Sequence, residues 1–148
     1  MKHILVATDG SDHAKRAVDF AGDLAPRFDA KVTVLHVVTD VGTAVPPEFE
    51  AWARIEHVHL SRQEVLVDAA HRIVDDAEKR IRDLGVDDVE TLVLVGNPAA
   101  AIVETARDKE ADLIIMGRRG LSNLAGLFQG SVTHKVSHLA DASVLTVR

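Results

Sequence analysis

The stretch ADLIIMGRRGLSNLAGLFQGSVTHKV, residues 111–136, decides the fold because it combines a strand, a glycine-rich loop and a helix start in succession. Its apolar run ADLIIM is typical of a strand that is buried on both faces of a parallel sheet. The loop that follows, from Gly117 to Gly130, carries four of the chain's nine glycines. Gly130-Ser131 then indicates the first residues of a helix, because glycine and serine are favoured at helix N-termini.

The same order of strand, turn and helix recurs on both sides of this stretch. Apolar, β-branched runs predict four further strands: HILVAT (3–8), KVTVLHVV (31–38), VETLVLV (89–95) and SVLTVR (143–148). Apolar residues at steps of three and four predict helices from Ser11 to near Pro26, from about Pro47 to Leu84 with Gly85 closing it, after Asn97, and near Ser131. This alternation predicts one α/β domain over residues 1–148, with a mainly parallel sheet covered on both faces.

Composition and charge exclude several classes of function. The 23 acidic and 17 basic residues give a net charge of −6, which argues against a nucleic-acid-binding protein. Because the chain has no cysteine, disulfides and thiolate metal sites are excluded. The apolar run near the amino terminus is too short for a signal peptide or a membrane span. The sequence therefore predicts a soluble, cytoplasmic protein without a membrane partner.

Two loops look unlike ordinary connectors: residues 9–11 (DGS) after the first strand and residues 117–130 after the fourth. In open parallel sheets, ligands bind beyond the carboxyl ends of the strands, where the strand order reverses. Glycines let backbone N–H groups approach an anion closely, and a helix start adds unpaired N–H groups and the positive end of the helix dipole. Arg118 and Arg119 add positive charge, and the Ser131 hydroxyl can donate to a phosphate oxygen. The second loop therefore predicts a phosphate-binding site, although it is neither a P-loop nor a GxGxxG motif.

The spacing of Gly117, two residues, Gly120, nine residues, then Gly130 and Ser131 resembles the G-2x-G-9x-G-[S/T] signature of the universal stress protein family. The resemblance covers the whole chain, since HILVATDGS, LHVV, GNPAAAIVETA, DLIIMGRRG, GSVTHKV and SVLTVR are all similar to family segments. It implies an open, Rossmann-like, five-stranded sheet of order 3-2-1-4-5. In that order the first and fourth strands are neighbours, so the two unusual loops face each other.

The resemblance also implies an adenine-nucleotide site, and the complete glycine motif favours ATP, with Mg²⁺ bridging its phosphates. Asp9 is expected to hold the ribose end, and the main chain at Val37 is expected to meet the adenine. The glycine motif is expected to wrap the phosphates and ribose. The implied site residues are Thr8, Asp9, Val37, Met116, Gly117, Arg118, Gly120, Gly130, Ser131 and Val132. Because family members commonly pair through the last strand, the resemblance also implies a homodimer.

Three functions remain open at this point. The first is a regulatory protein that binds ATP. The second is a slow ATPase, in which Asp9 orients a metal ion or water and an arginine counters the developing charge. The third is a dimeric scaffold that binds no nucleotide. Plainer interpretations of single residues also remain open, since Asp9 can close a turn and Arg118 and Arg119 can be solvated surface.

Eight histidines raise the question of a metal site. His134 and His138 are four residues apart and share a helix face, but no HExxH pattern accompanies them, so a solvent-facing pair is expected. His57 and His59 are two residues apart, which on a helix directs their side chains away from each other. His36, in the apolar second strand, is expected to be a hydrogen-bonded residue of the core or its rim.

Overall fold

The computed structural model describes residues 1–39, 62–120 and 130–148. In these ranges the chain forms β1 (His3–Ala7), α1 (Asp12–Leu24), a single 3-10 turn (Ala25–Phe28), β2 (Lys31–Thr39), α2 (Arg62–Asp83), β3 (Val89–Gly96), α3 (Pro98–Asp108), β4 (Leu113–Gly117), α4 (Ser131–Leu139) and β5 (Ser143–Val147). The first part of the helix expected from about Pro47 lies outside the described residues, as do His57 and His59.

All five strands join one parallel sheet in the order β3-β2-β1-β4-β5. The predicted fold class and strand order are therefore confirmed. The chain builds the sheet from β1 outward to β3 and then returns to add β4 on the other side of β1. The strand order reverses between β1 and β4, and the helices that follow these two strands, α1 and α4, cover opposite faces of the sheet.

Local capping explains where the helices begin and end. The Ser11 hydroxyl accepts a hydrogen bond from the Ala14 N–H at 3.3 Å, and the Asn97 side chain accepts one from the Ala100 N–H at 3.1 Å. These bonds satisfy amides that have no acceptor within the helix. Gly85 follows α2 with a φ of 91°, a left-handed conformation that favours glycine. The predicted caps and the helix end near Pro26 are confirmed.

Two apolar layers explain why the central strands are hydrophobic throughout. Helices α1 and α2 cover one face of the sheet, where Val18, Val34 and Val74 are buried. Helices α3 and α4 cover the other face, where Leu35, Ile102 and Val136 are buried. Because both faces are covered, successive residues of β1 are buried regardless of the side they point to. No helix within the described ranges is long and apolar enough to span a membrane.

The apolar residues at steps of three and four along α2 are not all buried. Leu84 is 41% exposed, whereas Ala70, Val74, Ala77 and Ile81 are all buried. Leu84 lies just past the last helical residue, so it reaches α1 only from the edge of the layer. A Cβ on Gly22 would lie 2.6 Å from the Leu84 Cδ1 atom, so a larger residue on α1 would require the Leu84 side chain to shift.

Candidate functional site

The loop after β1 is held in one conformation by its own polar groups. The Thr8 N–H donates to the Leu35 carbonyl at 2.9 Å, which extends the β1–β2 ladder beyond Ala7. The Thr8 hydroxyl accepts from the Gly10 N–H at 3.2 Å, and the Asp9 carboxylate accepts from the Ser11 N–H at 3.0 Å. These short-range bonds form the side-chain-stabilised turn typical of aspartate before a helix. The Asp9 carboxylate is thus positioned at the carboxyl edge of the sheet.

His36 ties the end of β2 to the same loop. Its Nδ1 atom lies 2.8 Å from the Thr8 carbonyl oxygen, so Nδ1–H is the donor. His36 is half-buried. The expectation of a hydrogen-bonded residue of the core or its rim is confirmed.

Three hydrogen bonds fix the exit of β4, one to β5 and two to the start of α4. The Arg118 N–H donates to the Val147 carbonyl at 2.7 Å, and the Gly130 N–H donates to the Arg118 carbonyl at 2.9 Å. The Thr133 hydroxyl donates to the Gly117 carbonyl at 3.0 Å. These bonds fix the amino terminus of α4 beside the exit of β4.

Thr133 is a positioning residue that the sequence analysis did not identify. It is buried, at 3% exposure, although it is polar. A signal was present, because Thr133 lies three residues before the apolar Val136 and so shares its inward face on α4. The periodicity indicated burial, but it could not identify the carbonyl that accepts from this hydroxyl.

The structure brings the two unusual loops into contact. A Cβ placed on Gly120 would collide with a carboxylate oxygen of Asp9. The backbone after β4 therefore passes directly against the acid that follows β1, and a side chain at position 120 would displace it. This close approach is the arrangement expected for a crevice at a strand-order reversal.

The surroundings of the other two glycines of the motif, Gly117 and Gly130, differ from those of Gly120. Gly117 is buried, and a Cβ on it would lie 2.9 Å from backbone atoms of both His13 and Ala14. Its small size allows α1 to pack against β4. Gly130 is the N-cap of α4 with φ −67° and ψ 149°, and the nearest described atom to a Cβ there is the Arg118 oxygen at 3.4 Å. Within the described part of the chain, neither backbone strain nor crowding requires glycine at this position.

Helix α4 presents unpaired amides at its start. The first intrahelical bond runs from the His134 N–H to the Gly130 carbonyl at 3.0 Å, so the amides of residues 131–133 have no acceptor within the helix. Gly130 offers no side chain to cap them. Ser131 is exposed, and Val132 is half-buried against the core under α3 and α4. No side chain of residues 1–39, 62–120 or 130–148 caps these amides, so they are suited to an anionic group.

Two further residues of the implied site lie beneath the crevice. The Met116 side chain is only 5% exposed and packs in the α3–α4 layer, so its backbone alone borders the loop. Val37 is half-buried on β2 and pairs with Leu94 of β3. The β1 ladder ends at Leu35, whereas β2 continues to Thr39. One edge of the Val37 main chain therefore extends beyond β1, toward the crevice.

Positive charge is concentrated at the β4 exit. The Nε atoms of Arg118 and Arg119 are buried and have no hydrogen-bond partner. Burial, and then the nearby cations of Arg148 and Arg119, lower the pKa of Arg118 from its usual value. A buried donor without an acceptor is unfavourable, and repulsion between like charges adds to it. An anion bound here would relieve both effects.

A separate cleft of about 220 Å³ opens between α1 and α2. It shares Thr8 and Gly10 with the loop after β1, and its walls include Lys15 and Arg72. None of residues 117–120 and none of α4 lines it. The cleft therefore borders the crevice but lacks the glycine loop and the helix start on which a phosphate site depends.

The histidines of α4 face solvent. His134 and His138 are both exposed, and their ring centroids lie 4.4 Å apart. The His138 Nδ1–H donates to the His134 carbonyl at 3.0 Å. The expected solvent-facing pair is confirmed. Across residues 1–39, 62–120 and 130–148, no three His, Asp or Glu side chains come together as metal ligands.

Comparison with known proteins agrees with this architecture. The model of the universal stress protein family matches residues 1–148. Universal stress protein YxiE of Bacillus subtilis is 36% identical over 146 residues, covering 98% of this chain and 97% of YxiE. Rv1636 of Mycobacterium tuberculosis is 36% identical over 148 residues, covering 99% and 95%. A universal stress protein solved in complex with cAMP superposes with a TM-score of 0.73 at 29% identity, covering 99% and 97%. The chain belongs to the universal stress protein family.

Proposed function

We propose that this protein is a regulatory ATP-binding protein, with the nucleotide lying in the crevice between Asp9 and the first turn of α4. The observation that carries the proposal is the contact of Gly120 with the Asp9 carboxylate. It joins a hydrogen-bond acceptor on one loop to a glycine-rich backbone on the other, at the edge of the sheet where ligands bind in open α/β folds.

Each part of an adenine nucleotide has a chemically suitable partner in this crevice. The unpaired amides of residues 131–133, at the positive end of α4, suit a phosphate group. The Asp9 carboxylate accepts hydrogen bonds, which suits the ribose hydroxyls. The main chain of Val37, beyond the end of the β1 ladder, is available to the edge of the base. The similar universal stress protein in complex with cAMP supports an adenine nucleotide as the ligand.

The finer choice of ATP is supported by charge. The buried Nε atoms of Arg118 and Arg119 at the β4 exit have no hydrogen-bond partner, and this positively charged region favours a ligand with several negative charges. Mg²⁺ carried by ATP would be held mainly through the phosphate oxygens, because the described residues offer no cluster of three ligands. The residues of the crevice bind the nucleotide, and none is assigned a catalytic role.

We also propose that the protein forms a homodimer through β5. This strand is the outermost one beside β4, so its other edge has backbone groups without ladder partners among the described strands. Val144 to Val147 are only half-buried. Such an edge is available for pairing with a second copy. Analytical ultracentrifugation at micromolar concentration tests this proposal, and a single 16.0 kDa species would contradict it.

Isothermal titration with ATP, ADP, AMP and cAMP tests the binding proposal. Saturable binding of ATP at one site per chain is the expected result. The Arg27→Gln variant provides a control, because Arg27 is exposed in the 3-10 turn before β2, at the amino-terminal edge of the sheet, and its replacement should leave binding unchanged. An absence of heat with all four nucleotides, supported by an absence of any thermal stabilisation, would overturn the proposal.

A further inference from the structure

Three arginines, Arg118, Arg119 and Arg148, form what we call the arginine cluster. The Arg118 N–H donates to the Val147 carbonyl, so the backbone after β4 runs alongside the end of β5 and reaches Arg148. The Arg148 carbonyl is itself fixed, because it accepts from the Arg16 Nε at 2.6 Å. The three cations are close enough that Arg148 and Arg119 both lower the pKa of Arg118, after the larger effect of its burial.

Within the described residues, the cluster has no carboxylate partner of the kind that guanidinium groups normally have in folded proteins. The buried Nε atoms of Arg118 and Arg119 donate to nothing, and no described carboxylate forms an ion pair with any of the three side chains. Arg80 shows the usual arrangement, since it donates to both oxygens of Asp19 at 2.9 and 2.6 Å. The contrast marks the cluster as an incomplete site for an anion.

Strand alternation places two members of the cluster on the α4 side of the sheet. Met116 packs in the layer under α3 and α4. Arg118 is two residues further on, one past the end of β4, where its N–H continues the β4–β5 ladder to the Val147 carbonyl. Val144 packs in that layer too, so Arg148, four residues on, has the same orientation. The Arg118 carbonyl accepts from the Gly130 N–H, so these arginines border the start of α4.

The number of charges decides which anion fits. One phosphate group at the start of α4 can satisfy the unpaired amides of residues 131–133. Such a group carries about −1.5 to −2 charge near neutral pH, and it leaves the neighbouring guanidinium groups without partners of their own. Further phosphate groups on the same ligand would supply these partners.

We propose that the arginine cluster binds the terminal phosphates of a nucleoside polyphosphate and makes the site selective for triphosphates over mono- and cyclic phosphates. The inference rests on the proposed nucleotide site and specifies its ligand. Arg148, which lies outside the glycine motif, becomes a specificity-determining residue. Affinity rises from cAMP and AMP through ADP to ATP, and the dependence on salt steepens in the same order.

Titration of AMP, ADP and ATP into three variants tests the inference. Arg118→Gln and Arg148→Gln should each weaken ATP binding about tenfold, because each removes one charge-assisted contact. The same variants should change AMP affinity by less than about twofold, since the AMP phosphate is held by the α4 amides. Arg27→Gln is the matched control, because Arg27 is exposed in the 3-10 turn, beside the amino-terminal edge of the sheet.

The outcomes separate the two proposals. If no nucleotide binds to the unmodified protein, the proposed function fails and this inference fails with it. If nucleotides bind but AMP and ATP have equal affinity, or if both variants weaken AMP as much as ATP, only the inference fails. Circular dichroism of each variant verifies that it is folded, and inorganic tripolyphosphate competing with ATP better than orthophosphate does would provide independent support.

Discussion

Replacing Gly130 by valine separates a ligand-binding role of this glycine from a structural one. A Cβ at this position would lie 3.4 Å from the Arg118 oxygen, 3.5 Å from the Arg119 Cα and 3.6 Å from the Thr133 Oγ1. These are tight to ordinary contacts, and the backbone angles of φ −67° and ψ 149° are accessible to valine. The folded protein should therefore accept the side chain.

The expected losses of stability and of affinity differ in size. Valine is a poorer N-cap than glycine, so the free energy of unfolding should fall by about 1 kcal/mol. For a domain of this size, that loss lowers the melting temperature by roughly 2–4 °C. The isopropyl group would, however, occupy the space in front of the α4 amides. Losing two charge-assisted hydrogen bonds to phosphate costs about 3 kcal/mol, which is roughly a hundredfold loss of ATP affinity.

Calorimetric titration with ATP and thermal unfolding without nucleotide measure the two effects independently. Arg27→Gln, at an exposed residue of the 3-10 turn on the amino-terminal side of the sheet, is the control and should leave both affinity and stability nearly unchanged. If Gly130→Val binds ATP as tightly as the unmodified protein while remaining folded, then the phosphate does not lie at the start of α4 and the reasoning is refuted.

Three further perturbations test the surrounding structure. Gly117→Ala should lower the free energy of unfolding by about 1–3 kcal/mol, because the added Cβ would press on the backbone of the first turn of α1. Urea titration measures this loss, and an unchanged stability would contradict the packing role of Gly117. Burial is the largest cause that lowers the pKa of His3 below 6.5 in the folded protein. Below about pH 6.5 the unfolded chain therefore binds more protons than the folded protein, and the free energy of unfolding should fall as the pH drops. His3→Gln should weaken that pH dependence, and an unchanged profile would exclude His3 as its source. Asp19→Asn should lower the free energy of unfolding by only about 0.5–1 kcal/mol, because the side chains of Asp19 and Arg80 in this ion pair are 42% and 38% exposed to solvent. A loss above about 2 kcal/mol would show that solvent does not weaken this ion pair as expected.

Much of the fold follows from local sequence patterns. Continuous apolar runs marked the strands, and Ser11 and Asn97 marked helix starts, because a cap is a bond between residues three apart in the chain. The strand order has a different origin. Periodicity cannot tell which strands are neighbours, so the order 3-2-1-4-5 came from the resemblance to the universal stress protein family.

The details of the candidate site depend on contacts between residues distant in sequence. The motif drew attention to Gly117, but only the structure shows that it packs against the first turn of α1. The bond from Thr133 to the Gly117 carbonyl was equally hidden. Arg148 lies 30 positions beyond Arg118 and joins it only because β5 pairs with β4. Sequence patterns therefore located the site, whereas tertiary packing determines what each residue does there.

A titration of ¹⁵N-labelled protein with ATP, followed by heteronuclear NMR, tests the central claim most directly because it reports on individual backbone amides. The largest shifts are expected at Gly120, Ser131 and Val132, with the amides of Lys15 and Arg72 in the α1–α2 cleft little changed. Shifts concentrated in that cleft, with the amides at the start of α4 unmoved under saturating ATP, would contradict the account.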